Sequence, residues 1–423
     1  MTDWQDDVLE NCLEALLDYR GKSPPKSSVG IPVLSAKVVK TSGLLHPIEQ
    51  KIASDYYSKW MVRGLPHVGD VVMTTEGPMG EVIQLTEETV QYALGQRIVC
   101  LRGKSGVLDN TFLRYLLSSP SQQNILESYS TGTTVPGISQ KALRSVPISY
   151  PSFDTQKRIG ILLSSIDDKI DLNRRTNETL EAMARALFRD WFVDFGPTRA
   201  KMAGEAPYLA PELWELFPDG LDEEGKPEGW NFSSIYDVAS VVYGAPFASS
   251  LFNTQSEGIP LVRIRDLPSE KPSVWTTEVH PKGFKILPGM IVVGMDGEFR
   301  AHLWGGEEAW LNQRVCVFQP KDGISSVFLR ETIIPQLKFI EDTEVATTVI
   351  HLGKGDIDAF KTLLPSHEIM ASFSDLAQIY YDKIVLNKQE GRSLAQLRDL
   401  LLPKLMSGEI SIRDAEKMVE DAA

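Results

Sequence analysis

The stretch PSFDTQKRIGILLSSIDDKIDLNRRTNETLEAMARALFRDWFVDF, residues 151–195, decides how the whole chain is read. Within it Ile159, Leu163, Ile166, Ile170, Asn173, Asn177, Leu180, Ala184, Leu187 and Trp191 follow one another in alternating steps of four and three. That spacing is a heptad seam, and it predicts a long helix packed against a similar partner. The partner lies 214 positions further on, where Phe373, Ala377, Tyr380, Ile384, Asn387, Gly391, Leu394, Arg398, Leu401 and Leu405 fill the same slots. Asp168-Lys169-Ile170 returns as Asp382-Lys383-Ile384, and Leu172-Asn173 as Leu386-Asn387. Two antiparallel helices on such a seam make a rod; about 35 residues at ~1.5 Å each span roughly 50 Å. Asn173 and Asn387 either fix its register, as buried polar seam residues can, or are simply solvated. The second copy departs from the first in three places: Met370 replaces Gln156, Gly391 replaces Asn177, and Pro403 should end or kink the helix early.

Outward from the helix, the globular parts repeat as well. In residues 1–150, Ile31–Leu34, Asp70–Met73 and Arg97–Leu101 read as strands, separated by loops at Arg20–Pro25, Thr74–Gly80 and Ser130–Thr134. A helix is expected after Asp109-Asn110 and before Pro120. The first long helix, within 151–195, should start at a Ser152 or Asp154 cap and stop at Phe195-Gly196-Pro197. Residues 196–229, acidic and rich in proline, read as a linker with at most a helical turn at Pro211–Phe217. From Gly229-Trp230 the pattern restarts and gives a second globular part over 230–365, with the second helix and tail over 366–423. Gly258-Ile259-Pro260 echoes Gly30-Ile31-Pro32, Gln313-Arg314-Val315 echoes Gln96-Arg97-Ile98, and Phe328-Leu329-Arg330 repeats Phe112-Leu113-Arg114. The offset falls from 228 to 214 and is then constant from Thr133 into the helix, so insertions and deletions lie in the globular parts.

Composition excludes several classes. No run of about 18 apolar residues suggests a membrane span, and the acidic start MTDWQDD lacks the pattern of a signal peptide. Cys12, Cys100 and Cys316 are distant and odd in number, which suits a reducing cytoplasm. Six scattered histidines offer no metal-binding spacing, so no metal site is expected. The net charge of −14 argues against a general nucleic-acid coat protein. Residues 196–229 alone hold eight acidic and three basic side chains. Gly21-Lys22-Ser23 and Gly103-Lys104-Ser105 lack the upstream glycine of a phosphate loop. Asp194-Phe195-Gly196 stands without the other kinase motifs and reads as a helix stop. Asp219, Glu224 and Lys226 imitate a nuclease carboxylate–lysine set but sit in the Pro/Gly-rich linker. No catalytic residue is expected.

The run Gly132-Thr133-Thr134-Val135-Pro136-Gly137-Ile138, then Gln156-Lys157-Arg158-Ile159 and Asp167-Asp168-Lys169-Ile170, carries a family resemblance. So do Ala186-Leu187-Phe188-Arg189-Asp190-Trp191-Phe192, the restart Pro227-Glu228-Gly229-Trp230 and Leu401-Leu402-Pro403-Lys404-Leu405. Over nearly its whole length the chain resembles the specificity (S) subunit of type I restriction–modification systems. The resemblance implies an α+β fold with two mixed target-recognition domains, each followed by a spacer helix, the helices forming an antiparallel coiled coil with internal pseudo-twofold symmetry. It implies a bipartite, asymmetric duplex DNA target, two methyltransferase (M) subunits docked on the helices, and restriction (R) subunits reached through them. S-adenosylmethionine, ATP and Mg2+ would belong to those partners, and none to this chain. Base readout needs polar and basic side chains on loops. The candidates are Arg20, Lys22, Thr74, Thr75 and Arg97 in the first domain, and Arg263, Arg265, Arg300, His302, Asn312 and Arg314 in the second. The competing reading is a coiled-coil scaffold or a solitary DNA-binding regulator without methyltransferase partners.

Overall fold

The structure, a computed structural model, describes residues 4–19, 23–132, 134–343 and 350–422. Arg20 and Lys22 therefore lie outside the described residues, as do Thr133 and the repeated Thr347-Thr348-Val349. The chain divides into two compact units, Met1–Lys169 with Ser393–Ala423, and Ile170–Arg392. Each contains one globular part and a portion of both long helices.

In the first unit a four-stranded antiparallel sheet has the order Leu13–Asp18, Ile98–Gly103, Val71–Thr75, Met79–Gln84. Both faces are covered: every residue of Val71–Thr75 is buried, so the strand reads as a continuous apolar run rather than an alternation. The Asn110–Ser118 helix packs on this sheet, capped by Asp109, whose carboxylate accepts the Phe112 N–H at 3.0 Å. A smaller sheet contains the parallel pair Ile31–Leu34 and Ala93–Leu94. The terminal strand Gln5–Val8 pairs with Pro147–Tyr150, just before the long helix, so the domain's two ends meet.

The second unit repeats the main sheet, the parallel pair and the closing strand pair, while its smaller sheet has five strands where the first unit's has three. Its main sheet has the order Ala239–Tyr243, Val315–Pro320, Ile291–Gly294, Ala301–Leu303. Ile259–Val262 runs parallel to Ala309–Leu311, and Asn231–Ser234 pairs with Lys361–Leu364 ahead of the second long helix.

The long helices are Phe153–Phe192 and His367–Met406, each of 40 residues. Their antiparallel pairing is visible inside each unit. In the second, the Asn387 amide donates to Asn177 Oδ1 at 2.8 Å, and the Asn173 amide donates to Glu390 Oε2 at 2.8 Å. Asn173 and Asn387 are 5% and 3% exposed, so they are buried and bonded rather than solvated. In the first, Arg398 donates to Asp167 at 2.7 Å, and Ile159, Leu163, Ile166, Leu401 and Leu405 are almost wholly buried. Ala184, Trp191 and Ile384 are buried too, whereas Ile170, Leu180, Leu187 and Leu394 are partly exposed.

Tyr380 packs half-buried against the second unit's core, and Tyr381 beside it is fully buried, its phenol bonded to Arg330 and Glu331. Two local expectations need correction. Pro403 does not end its helix, which continues to Met406; a proline this close to the C-terminus removes a single hydrogen bond. Nor are residues 196–229 limited to a helical turn at Pro211–Phe217, since the helix Gly196–Ala203 precedes it. Phe195 adopts a left-handed φ of 54° that closes the first long helix, and Pro197 then starts a new one, Gly196–Ala203, with its fixed φ and absent N–H suited to a first turn. Trp214 and Phe217 beyond it are buried, and Phe217 meets Trp191 edge-on at 5.0 Å within the second unit's core.

Candidate nucleic-acid interface

The feature shared by the two globular parts is an arginine in a backbone conformation that arginine seldom adopts. Arg97 has φ 60° and Arg314 has φ 69°. Each stands directly before a central strand, Ile98–Gly103 or Val315–Pro320. Each carbonyl is taken by an N–H of the neighbouring strand's end: Thr75 N–H donates to Arg97 O and Met295 N–H to Arg314 O, both at 2.8 Å. Past that strand comes an acid and then a glycine at positive φ, Glu76-Gly77 in one copy and Asp296-Gly297 in the other. A returning segment completes the site, with Gly137 bridged to Glu76 and His351 bridged to Asp296. Ile138 N–H donates to Thr75 O, and Leu352 N–H to Met295 O.

The guanidinium groups are held loosely. Arg97 is 3.7 Å from Glu76 and Arg314 is 3.7 Å from Asp296, and both side chains are 55% exposed. Arg314 also lies 3.1 Å from the His351 ring, which in turn contacts Asp296 at 2.7 Å. Around Arg97 a cleft of about 200 Å3 is lined by Ser23, Ser35, Lys37, Gln50, Gln96 and Gly77, among others. Ser35, Lys37 and Gln50 escaped the sequence reading. In the register that aligns Gly30 with Gly258, Lys37 corresponds to Arg265. Arg265 is exposed and meets no partner among the described residues.

The other candidates are placed differently. Thr74 and Thr75 belong to a buried strand rather than to a loop. The Thr74 hydroxyl accepts the Glu81 N–H at 2.9 Å, and the Thr75 hydroxyl is buried without a partner among the described residues. Neither side chain is presented to solvent, because the strand runs two residues further, to Thr75, than its composition suggested. Arg263 grips the buried Asp266 at 3.0 Å and Ser273 at 2.7 Å, stabilising a turn. Arg300 pairs with Glu341 at 2.9 Å and with Glu298 at 3.2 Å. Asn312 is 9% exposed beside Gly244, and its side chain accepts the Gln313 N–H. His302 is largely buried; burial, with Lys388, Arg330 and Arg300 nearby, pushes its imidazole down to about 4. Of the candidates within the described residues, Arg97, Arg265 and Arg314 offer exposed, uncommitted or loosely committed guanidinium groups.

The linker's imitation of a nuclease site resolves into ion pairs. Lys226 bridges Asp222 and Glu224, and Asp219 takes Lys201 at 3.0 Å.

Comparison with known proteins agrees with this duplication. The family model described as type I restriction modification DNA specificity domain matches twice, at residues 19–182 and 227–394. The specificity subunit of the type I restriction enzyme MjaIX from Methanocaldococcus jannaschii is 27% identical over 356 residues, covering 82% of this chain and 78% of that protein. The specificity subunit of HindI from Haemophilus influenzae is 24% identical over 397 residues, covering 81% and 86%. Among solved structures, the S subunit of a type I restriction–modification system from M. genitalium aligns with TM-score 0.57 at 16% identity, covering 96% of each chain, a likeness of fold.

Proposed function

The chain belongs to the family of type I restriction–modification DNA specificity subunits, and from that premise we propose that its two globular parts read two different halves of one duplex target. The observation that carries this reading is the duplicated arginine site with unlike surroundings. Glu76 and Gly137 flank one copy, Asp296 and His351 the other. Readers built on one plan but lined differently suit a bipartite target whose halves differ in sequence. The domain boundaries proposed are 1–150 and 230–365, with 196–229 folded between the first helix and the second domain.

The chain supplies recognition and leaves the chemistry to others. We propose two methyltransferase subunits, using S-adenosylmethionine, as partners on the long helices. Ile161, Leu172 and Met183 on the first helix and Ile379, Leu386 and Leu400 on the second are exposed apolar side chains that support such docking. Restriction subunits using ATP and Mg2+ would join through them. A cytoplasmic location accords with three free, buried cysteines.

Exchange of residues 1–150 for the matching domain of a relative, assayed by methylation mapping with the methyltransferase present, tests the reading. One half of the methylated motif should change, and exchange of 230–365 should change the other half. A single exchange that alters both halves, or specific duplex binding that never requires a methyltransferase, overturns it.

A further inference from the structure

We propose that Arg97 and Arg314 are specificity-determining residues, each reading one guanine in its own half of the target, and that their left-handed backbone aims the side chain at the base edge. The assignment rests on the recognition function argued above and gives it an atomic reader.

A left-handed φ disfavours any residue with a Cβ, and glycine is the ordinary occupant of such a position. Arginine holds it here in both copies of the repeat, each time between a glutamine and a buried strand. The strained backbone is pinned in both, since the arginine's own carbonyl is hydrogen-bonded across to Thr75 or Met295. A phosphate contact would need none of this, because a long flexible cation reaches phosphate from many backbones. A base edge is different: the planar fork must meet two acceptors at once, and arginine against guanine O6 and N7 is the commonest such pairing.

In the free chain neither fork is locked to its acid, although Arg314 also has the His351 ring at 3.1 Å, a contact that base reading would exchange. Glu76 and Asp296 present two carboxylate oxygens, the same pattern of paired acceptors, at 3.7 Å. That is well beyond the ~2.7–2.9 Å of a charge-assisted bond. Structural arginines in the same domains are held much closer: Arg102 to Asp70 at 2.8 Å, Arg114 to Asp167 at 2.9 Å, Arg263 to Asp266 at 3.0 Å. The polar cleft beside Arg97, with Gln96, Gln50 and Ser35, provides further donors and acceptors next to the fork.

The test uses the full chain assembled with its cognate methyltransferase and a plasmid library randomised across the target. Arg97→Lys and Arg314→Lys keep the charge and lose the fork; Arg97→Gly and Arg314→Gly lose both and relieve the backbone. Each variant should lose discrimination at one G·C pair of one half-target, by about 5- to 150-fold. The remaining positions should stay as they are, and the glycine variants should melt no lower than the parent. The assignment is overturned by an unchanged motif, by lost discrimination at an A·T pair, or by glycine variants that melt lower. It is equally overturned if binding weakens uniformly over all sequences with a salt slope reduced by about one, the mark of a phosphate contact. If the unsubstituted assembly shows no bipartite motif at all, the recognition reading itself fails, which separates the two outcomes.

Discussion

Two helical glycines have opposite reasons for being there. A Cβ at Gly160 would sit 3.2 Å from both Cβ and Cγ2 of Thr111, so its absence lets the Asn110–Ser118 helix approach the first long helix. A Cβ at Gly391 would meet nothing within 4 Å. Gly391→Ala should therefore stabilise the chain by about 1 kcal/mol through helix propensity, while Gly160→Ala should lower stability; urea unfolding midpoints distinguish them. His302 gives a pH signature. Its folded pKa of about 4 lies below the ordinary 6.5, so below pH 6.5 the unfolded chain takes up a proton that the folded one refuses. The stability it contributes is complete above pH 6.5 and is lost as pH falls toward 4, by roughly 2 kcal/mol once partial solvent exposure is allowed for. His302→Gln should flatten that part of the stability–pH curve.

At the scale of elements, each long helix is keyed to its domain by a charged cluster whose chemistry is exchanged between copies. In the first unit Asp167 on the helix accepts from Arg114 at 2.9 Å, Tyr115 at 2.6 Å and Arg398 at 2.7 Å. In the second, Tyr381 stands where Asp167 would, and Glu331 where Tyr115 would. Tyr381 accepts from Arg330 at 2.9 Å and donates to Glu331 at 3.2 Å. Asp167→Ala strands two partly buried guanidinium groups and should cost about 2–3 kcal/mol. Tyr381→Phe removes a neutral partner and should cost about 1 kcal/mol. Thermal unfolding of both variants checks the order. The heptad seam, the duplication and the domain restart were legible because they depend on spacing alone. Tyr381 went unnoticed because a heptad marks the seam and says nothing of a phenol that turns instead to Arg330 and Glu331 of the domain. Thr74 and Thr75 looked like loop residues because polar side chains bordered Gly77-Pro78, and nothing local reported that the sheet covers both faces of that strand. The left-handed arginines left only a repeated Gln-Arg as signal, since φ follows from the turn and not from the residue.

For the whole molecule the net charge of −14 opposes duplex binding. The isolated chain should bind its target weakly at physiological salt, and addition of the methyltransferase should tighten binding and steepen its salt dependence, because phosphate neutralisation must come mostly from the partner. Fluorescence anisotropy across a salt series measures both; nanomolar, sequence-specific binding by the chain alone would refute this. A different consequence follows from the strand pairs that close each domain, Gln5–Val8 on Pro147–Tyr150 and Asn231–Ser234 on Lys361–Leu364. With entry and exit fastened together, each domain is a cassette in a fixed socket, and lengthening its interior leaves the scaffold undisturbed. Doubling a closed loop adds only about 0.6 kcal/mol of closure entropy, so the few residues by which the two cassettes differ add almost nothing. The spelling of the target can thus drift, grow or be transplanted while the frame that carries it is inherited unchanged.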